Sequence, residues 1–266
     1  LAASGLAGAY GSPVLLVGDT VSATLTDELD RLGATDVVLV GGEAAISPGV
    51  ATALDADYAV TRIAGDKRYE TAAEVAYMID EAVGTLGPAF LVRGDQFADA
   101  LAVSPFAWGQ AIPVLLVQTA GVPDATAEVI DTLGITDGII AGGEGAVSAA
   151  TYTALDGLVA GTMTRVSGDD RFATAREVAD WGVGEGLGTY QYVGVATGFG
   201  FADALGGGAA AGANGGVLLL TDPNTLSTPA AEALTDNVAA IDLVEIFGGV
   251  GAVKDSVVTA IQAILQ

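Results

Sequence analysis

GIIAGGEGAVS (residues 138–148) is an apolar run that ends in a pair of glycines, and close copies of it stand elsewhere in the chain. The other two are VVLVGGEAAIS (37–47) and VEIFGGVGAVK (244–254). The glycine pairs are separated by 101 and then 106 residues. Recurrence at one spacing is the signature of a repeat architecture. The sequence therefore predicts about three similar units in tandem.

Three further motifs recur in the same order and at nearly the same spacing. They are the charged motif R-x-x-G-x-x-R (62–76 and 165–179), FADAL (97–101 and 201–205) and the apolar run PVLLV or GVLLL (13–17, 113–117 and 216–220). Four motifs that keep one order and one spacing are not a chance coincidence. The repeat is thus a structural unit of about 100 residues, large enough to be a small domain.

Within the middle copy, helical patterns alternate with short apolar runs. The predicted helices are 69–83, 97–110, 124–133 and 149–158, and the predicted strands are 89–93, 113–117 and 137–141. Continuous apolar strands between helices indicate a parallel sheet that is covered on both faces. We therefore predict an α/β fold of parallel-sheet units, with the runs 13–17, 113–117 and 216–220 as central strands.

The repeats divide the chain into residues 1–58, 59–160 and 161–266. The first of these is partial, because Leu1 aligns with Leu101 and the equivalents of residues 62–100 do not occur in it. Its apolar runs would be open to water if they stood alone. We expect these runs to be covered by a segment ahead of Leu1, by the other two units or by a neighbouring chain.

The composition excludes several classes of function. There are 33 acidic residues against 9 basic ones, for a net charge of −24, and such a chain repels nucleic acid. It has neither cysteine nor histidine, which excludes thiolate metal sites and removes the commonest general base. No apolar run reaches the roughly 18 residues that membrane insertion requires. We predict no metal, no cofactor and no enzymatic activity.

The motifs resemble the cell wall binding repeat 2 family of bacterial surface proteins. The matching residues of the charged motif are Arg62, Gly65, Arg68, Tyr69, Thr71 and Ala72, and Arg165, Gly168, Arg171, Phe172, Thr174 and Ala175. The resemblance implies Rossmann-like or toprim-like units in a pseudo-threefold arrangement. It also implies an extracellular location, on the cell wall or cell surface, and attachment to an anionic wall polymer. The chain departs from the pattern at Gly216, where the family has proline, and at Lys254, where it prefers serine.

Basic and apolar motif residues are the candidates for polymer contact. They are Arg62, Arg68, Arg165, Arg171, Pro113, Leu115 and Leu116. Arginine suits this task because its planar guanidinium group recognises phosphate and carboxylate groups. A structural role for the arginines, such as capping a helix or forming an ion pair, is the alternative.

The recurring aspartates are predicted to form structural ion pairs. Asp99 and Asp203 stand early in apolar helices, and a buried carboxylate needs a partner. We expect Asp99 to pair with Arg68, and Asp203 to pair with Arg171. Breaking such a pair with Asp99→Ala would cost about 3–5 kcal/mol. A ligand contact is the second interpretation of these aspartates.

Two functions of different classes fit these observations. The first is a non-catalytic module that anchors a surface protein to the wall. The second is an extracellular structural protein that assembles with itself, such as a surface-layer or filament subunit. They differ in whether the purified protein assembles without wall material. An enzyme that uses Asp or Glu alone would need an acidic cluster, and no clear one occurs.

Overall fold

The computed structural model describes residues 1–266, in which helices and strands alternate. The strands are Asp36–Val40 (β1), Ala59–Ile63 (β2), Pro88–Arg93 (β3), Val114–Val117 (β4), Asp137–Ala141 (β5), Met163–Val166 (β6), Tyr192–Thr197 (β7), Val217–Thr221 (β8) and Leu243–Phe247 (β9). The helices are Ala3–Ala9 (α1), Ala23–Leu32 (α2), Pro48–Asp55 (α3), Arg68–Val83 (α4), Ala98–Gln110 (α5), Asp124–Thr132 (α6), Ala149–Asp156 (α7), Arg171–Gly184 (α8), Ala202–Ala213 (α9), Thr228–Asp236 (α10) and Asp255–Ile264 (α11).

The strands form three separate sheets, and every pairing between them is parallel. Their orders are β1-β2, β4-β3-β5-β6 and β8-β7-β9. The predicted α/β fold with parallel-sheet units is confirmed, and the middle copy has its helices and strands where the apolar patterns placed them. Serine caps contribute to this agreement, since the Ser148 hydroxyl accepts from the Thr151 amide at 3.1 Å and starts α7.

The predicted central strands are not central. β4 and β8 each stand at one end of their sheet, and β3 and β7 lie between strands. Residues 13–17 form no strand at all. The apolar runs were misleading because α4 packs on β4 and α8 packs on β8. An edge strand covered by helices on its faces needs no polar alternation, so its composition matches that of a central strand.

The sheets end later in the chain than the predicted limits of the units. β2 pairs with β1, and β6 pairs with β5, so each belongs to the sheet of the preceding unit. The predicted limits at 58/59 and 160/161 fall just before these strands. Sheet one therefore extends to Ile63 and sheet two to Val166, and the charged motif bridges two units.

Three helices rich in small residues hold the units together. α1, α5 and α9 come from successive units, and each contacts the other two. A side chain at Gly212 of α9 would stand 2.5 Å from the Pro105 carbonyl oxygen of α5, and one at Gly8 of α1 would overlap the Trp108 carbonyl. The Trp108 indole also donates to the Ser12 carbonyl at 3.0 Å. This axis produces the pseudo-threefold arrangement that was predicted.

The first unit is covered less completely than expected. Its own small core consists of Leu29, Leu39, Val50, Leu54 and Tyr58. Leu15 and Leu16 are 37% and 48% exposed, whereas their equivalents in β4 are 1% and 4% exposed. The expectation that the other units would cover residues 13–17 is therefore wrong. None of the helices is both long enough and apolar enough for a bilayer crossing.

The close approach of α5 and α9 can be tested with an added methyl group. Gly212→Ala places that group against a backbone carbonyl, so we expect the free energy of unfolding to fall by about 1–3 kcal/mol. Gly184→Ala is the matched control, because its methyl group meets no atom within 4 Å. The control should be neutral or stabilising by up to about 1 kcal/mol. Urea unfolding measures both, and equal effects would contradict the packing described.

Candidate functional site at the carboxyl ends of the strands

The recurring polar residues gather where the parallel strands of each sheet end. In the second unit β3 ends at Arg93, and β5 runs into the Gly-Gly turn at Gly142. Asp99 lies in the first turn of α5, against this turn. Ligands of open parallel α/β sheets bind beyond the carboxyl ends of the strands. This region is therefore the candidate functional site.

One contact explains why FADAL and the glycine pair recur together. A Cβ at Gly142 would stand 2.6 Å from an Asp99 carboxylate oxygen, and one at Gly248 would stand 2.6 Å from that of Asp203. The two glycines also have φ values of 115° and 108°. A side chain is excluded at both positions by the backbone conformation and by the aspartate. FADAL and the glycine pair therefore meet at one turn, where the aspartate of the first motif contacts the first glycine of the second.

The predicted ion pairs of the aspartates are wrong. No basic group lies within 4.0 Å of Asp99 or Asp203, and neither side chain forms a hydrogen bond. The motif arginines bind loop carbonyls instead. Arg68 donates to the Gly94 carbonyl, and Arg171 donates to the Gly198 carbonyl at 2.7 Å. These arginines open α4 and α8 and reach the loops after β3 and β7, whereas the aspartates face the Gly-Gly turns.

Asp99 is consequently a half-buried carboxyl group without a direct partner in the protein. Burial raises its pKa to about 6, and the charges of Arg171 and Arg93 offset part of this increase. Arg93 is committed to Asp95, and that hydrogen bond lowers the pKa of the Asp95 carboxyl group. The comparison of repeats could not single out Arg93, because Thr197 stands at the equivalent position.

Arg62 and Arg165 hold the Gly-Gly turns from the neighbouring strand. Arg62 donates to the Gly41 carbonyl at 2.6 Å. Arg165 donates to the carbonyls of Gly142 and Val147, both at 2.7 Å. Buried carbonyls need such donors. These arginines therefore have a structural task, but they bind turn carbonyls rather than forming the helix cap or ion pair that the sequence suggested.

The apolar candidates for polymer contact are not accessible. Leu115 and Leu116 are 1% and 4% exposed, and Pro113 is buried beside them. Side chains inside the core cannot touch a polymer on the surface. The prediction failed because a repeated apolar run marks the core of a repeat as readily as a binding groove.

Arg68 is the motif arginine that remains exposed, and the neighbouring Lys67 is exposed as well. Beside Arg68 lies a cavity of about 270 Å³, which the rings of Phe97 and Phe201 border. These rings stand edge to face with centroids 5.9 Å apart. Lys67 escaped the sequence comparison because the third unit has Asp170 in its place. No group of three or more carboxylates could hold a metal ion.

The buried charge of Asp99 makes a prediction about pH. Because its folded pKa of about 6 lies above the usual value for an aspartate, about 4, the folded state binds the proton more tightly. The fold therefore loses stability as the pH rises between these values. Asp99→Asn should remove this loss and raise the free energy of unfolding at pH 7 by about 2–3 kcal/mol.

Asp131→Asn is the control for the change in net charge, because Asp131 is an exposed residue. It should change the free energy of unfolding at pH 7 by no more than about 0.5 kcal/mol. A destabilised Asp99→Asn variant at pH 7 would show that the carboxylate has a partner after all.

Comparison with known proteins matches one family along the chain. The model of the family "Cell wall binding domain 2 (CWB2)" matches residues 1–51, 62–152 and 165–258. Among curated proteins of Bacillus subtilis, the chain is 31% identical over 236 residues to "N-acetylmuramoyl-L-alanine amidase LytC", across 88% of this chain and 45% of the relative. It is 32% identical over 120 residues to "Amidase enhancer", across 45% of this chain and 16% of the relative.

Two solved structures share the fold of this chain. Cwp6 from Clostridium difficile superposes with a TM-score of 0.88 at 24% identity, over 100% of this chain and 41% of that one. Cwp8 from the same organism gives a TM-score of 0.84 at 22% identity, over 99% and 44%. The chain spans less than half the length of each of these four proteins. With three successive matches to one family model, this chain belongs to the cell wall binding domain 2 (CWB2) family.

Proposed function

We propose that this chain is a non-catalytic module that anchors a protein to the cell wall, outside the cell, through an anionic wall polymer. The observation that carries the proposal is the match to a cell wall binding family in three successive repeats. An amidase and an amidase enhancer are among the relatives, and both are longer than the part they share with this chain. We infer that the shared part contributes binding and that the activity lies elsewhere in those proteins.

Equivalent chemistry in successive units favours binding over catalysis. The Gly-Gly turn meets an aspartate at Gly142 and again at Gly248, with the same distance of 2.6 Å from the Cβ position. The motif arginine also binds the same loop carbonyl in two units. A polymer repeats its own groups, so equivalent contacts on successive units add together.

Arg68 is the residue best placed to meet an acidic group of the polymer. It uses a guanidinium N–H for the Gly94 carbonyl, and the other donors of its planar group remain for a phosphate or carboxylate. Lys67 adds a second exposed positive charge next to it. The chain carries a net charge of −24, so such local basic sites decide where an anion can approach. Arg171 is half-buried and contributes less directly.

The proposal predicts that Arg68→Gln weakens binding to purified walls by about tenfold, the equivalent of about 1.4 kcal/mol. Arg31→Gln is the matched control, because Arg31 is an exposed arginine that pairs only with Glu28 on its own helix. Cosedimentation with walls gives the affinity, and thermal unfolding of each variant shows that it is folded.

Walls stripped of their anionic polymers provide the second arm of this experiment. The unmodified chain should lose most of its binding to them. Equal binding to stripped and intact walls would overturn the anionic polymer as the ligand, and equal affinity of Arg68→Gln and Arg31→Gln would overturn the role of Arg68.

A self-assembling extracellular structural protein is the second candidate. It is favoured by the free edges of β1 and β9 and by the exposed Leu15 and Leu16, since an open strand edge is a template for another chain. Light scattering over a concentration series tests it. Fibres or sheets without wall material would favour assembly, and a constant monomer mass would contradict it.

A further inference from the structure

Exposed apolar side chains gather at the carboxyl end of the third sheet. Five large apolar residues of the chain are more than half exposed, and three of them stand here, namely Phe199, Phe201 and Val250. The two phenylalanines follow β7, the valine lies in the Gly-Gly turn after β9, and β7 and β9 are parallel neighbours. Single exposed apolar residues are ordinary, but a group of them at one place marks an interaction surface. We call these three residues the apolar edge.

The second unit has charged residues at two of the equivalent positions. Asp95 stands where the third unit has Phe199, and Glu144 stands where it has Val250. Both acidic residues are exposed, and Asp95 pairs with Arg93, which the third unit lacks. The two units therefore share the aspartate and the glycine pair, but they differ in what surrounds them.

The ring of Phe199 is held in place although it is exposed. The Arg171 guanidinium lies over this ring, 5.1 Å from its centroid, and donates to the Gly198 carbonyl at 2.7 Å. The ring of Phe172 stands edge to face with it, with centroids 5.7 Å apart. The Phe199 amide also donates to the Thr197 hydroxyl at 3.2 Å. A side chain fixed in this way loses little conformational freedom when it binds a ligand.

Asp203 is the polar group of the same sheet end. It lies against the turn, since a Cβ at Gly248 would stand 2.6 Å from its carboxylate. Its carboxylate has no hydrogen bond or ion pair in the protein. Every fully buried side-chain oxygen of the chain has a hydrogen-bond partner, so the oxygens of Asp203 are accessible to solvent. An ionised carboxylate only accepts hydrogen bonds, and a ligand must therefore bring the donors.

The charges at this place restrict the ligand to an uncharged group. Asp203 disfavours an anion, and Arg171 already occupies the ring of Phe199 as a cation, so a second cation is repelled there. The ligand then needs hydroxyl donors for the carboxylate and an apolar face for the ring. A sugar ring has both, because its hydroxyls donate and the C–H groups of one face stack on the negative face of an aromatic ring.

We propose that the apolar edge is a sugar subsite, in which Phe199 stacks on an uncharged sugar ring and Asp203 accepts hydrogen bonds from its hydroxyls. The inference rests on the proposed function, since the sugar ring is taken to be part of the wall polymer. The units then divide the recognition. Arg68 meets the anionic group of the polymer, and Phe199 meets its sugar. Such a mixture of aromatic side chains and a few oriented polar groups is typical of ligand sites.

The test uses neutral oligosaccharides that hydrofluoric acid releases from purified walls by cleaving phosphodiester bonds. Saturation-transfer NMR reports contact between aromatic protons and the sugar C–H protons, and a titration gives the affinity. Phe199→Ala should weaken binding at least about fivefold, and Phe199→Trp should retain it. Tyr10→Ala is the matched control, because Tyr10 is an aromatic residue of equal exposure, 54% against 56%, that ends α1. It should bind like the unmodified chain.

Val250→Glu restores the charge that the second unit has at this position. The side chain of Val250 is 69% exposed, so the variant should keep the thermal unfolding midpoint of the unmodified chain. We expect it to weaken oligosaccharide binding about threefold, because a hydrated carboxylate replaces an apolar contact. Val238→Glu is the control, since Val238 is an exposed valine beyond α10. If Phe199→Ala proves to be unfolded, Val250→Glu decides the question.

Equal affinity of Phe199→Ala and Tyr10→Ala for the oligosaccharides would overturn the sugar subsite. So would the absence of saturation transfer to sugar C–H protons in the unmodified chain. If the chain still cosediments with intact walls in either case, the anchoring function stands without this subsite. The reverse result, oligosaccharide binding that depends on Phe199 but no cosedimentation with intact walls, would support the subsite and overturn anchoring.

Discussion

The close approach of three small-residue helices at one axis is the constraint on which the rest of this structure depends. α1, α5 and α9 can touch only because glycine stands where a backbone carbonyl of the next helix arrives, as Gly212 does opposite Pro105. Interiors are close-packed, so a single added methyl group is felt across such a contact. The axis helices α5 and α9 also carry Asp99 and Asp203, which lie against the Gly-Gly turns.

A consequence of this geometry is that no unit is complete alone. The charged motifs begin within β2 and β6, and these strands lie in the sheet of the preceding unit, so a strand crosses each predicted boundary between repeats. Arg62 and Arg165 then bind the turn of that preceding sheet. Stability is shared between neighbours, as in other repeat proteins. Here the chain curves about an axis, so the two ends of the array also meet.

The buried aspartate is the part of the structure that stability alone does not explain. Asp99 has no ion pair, and burial raises its pKa to about 6. The charged form of Asp99 costs stability, yet the third unit also has an aspartate, Asp203, at the equivalent position. Such a residue is typical of a functional site. It lies at the carboxyl ends of the strands, where α/β folds bind ligands. The exposed pair Lys67 and Arg68 supplies local positive charge on an otherwise acidic surface.

The sequence by itself determined the three repeats, the α/β class, the helices and strands of the middle copy and the family, because apolar periodicity and motif spacing are local properties. Only the tertiary structure decided that β4 stands at the end of its sheet, that Leu115 is core rather than surface, and that Arg68 binds a carbonyl rather than Asp99. Strand order and side-chain partners depend on which segments meet in space. A run such as PVLLV has the same apolar composition at the edge and in the middle of a sheet when both of its faces are covered. Its position in the sheet therefore depends on helices and strands from elsewhere in the chain.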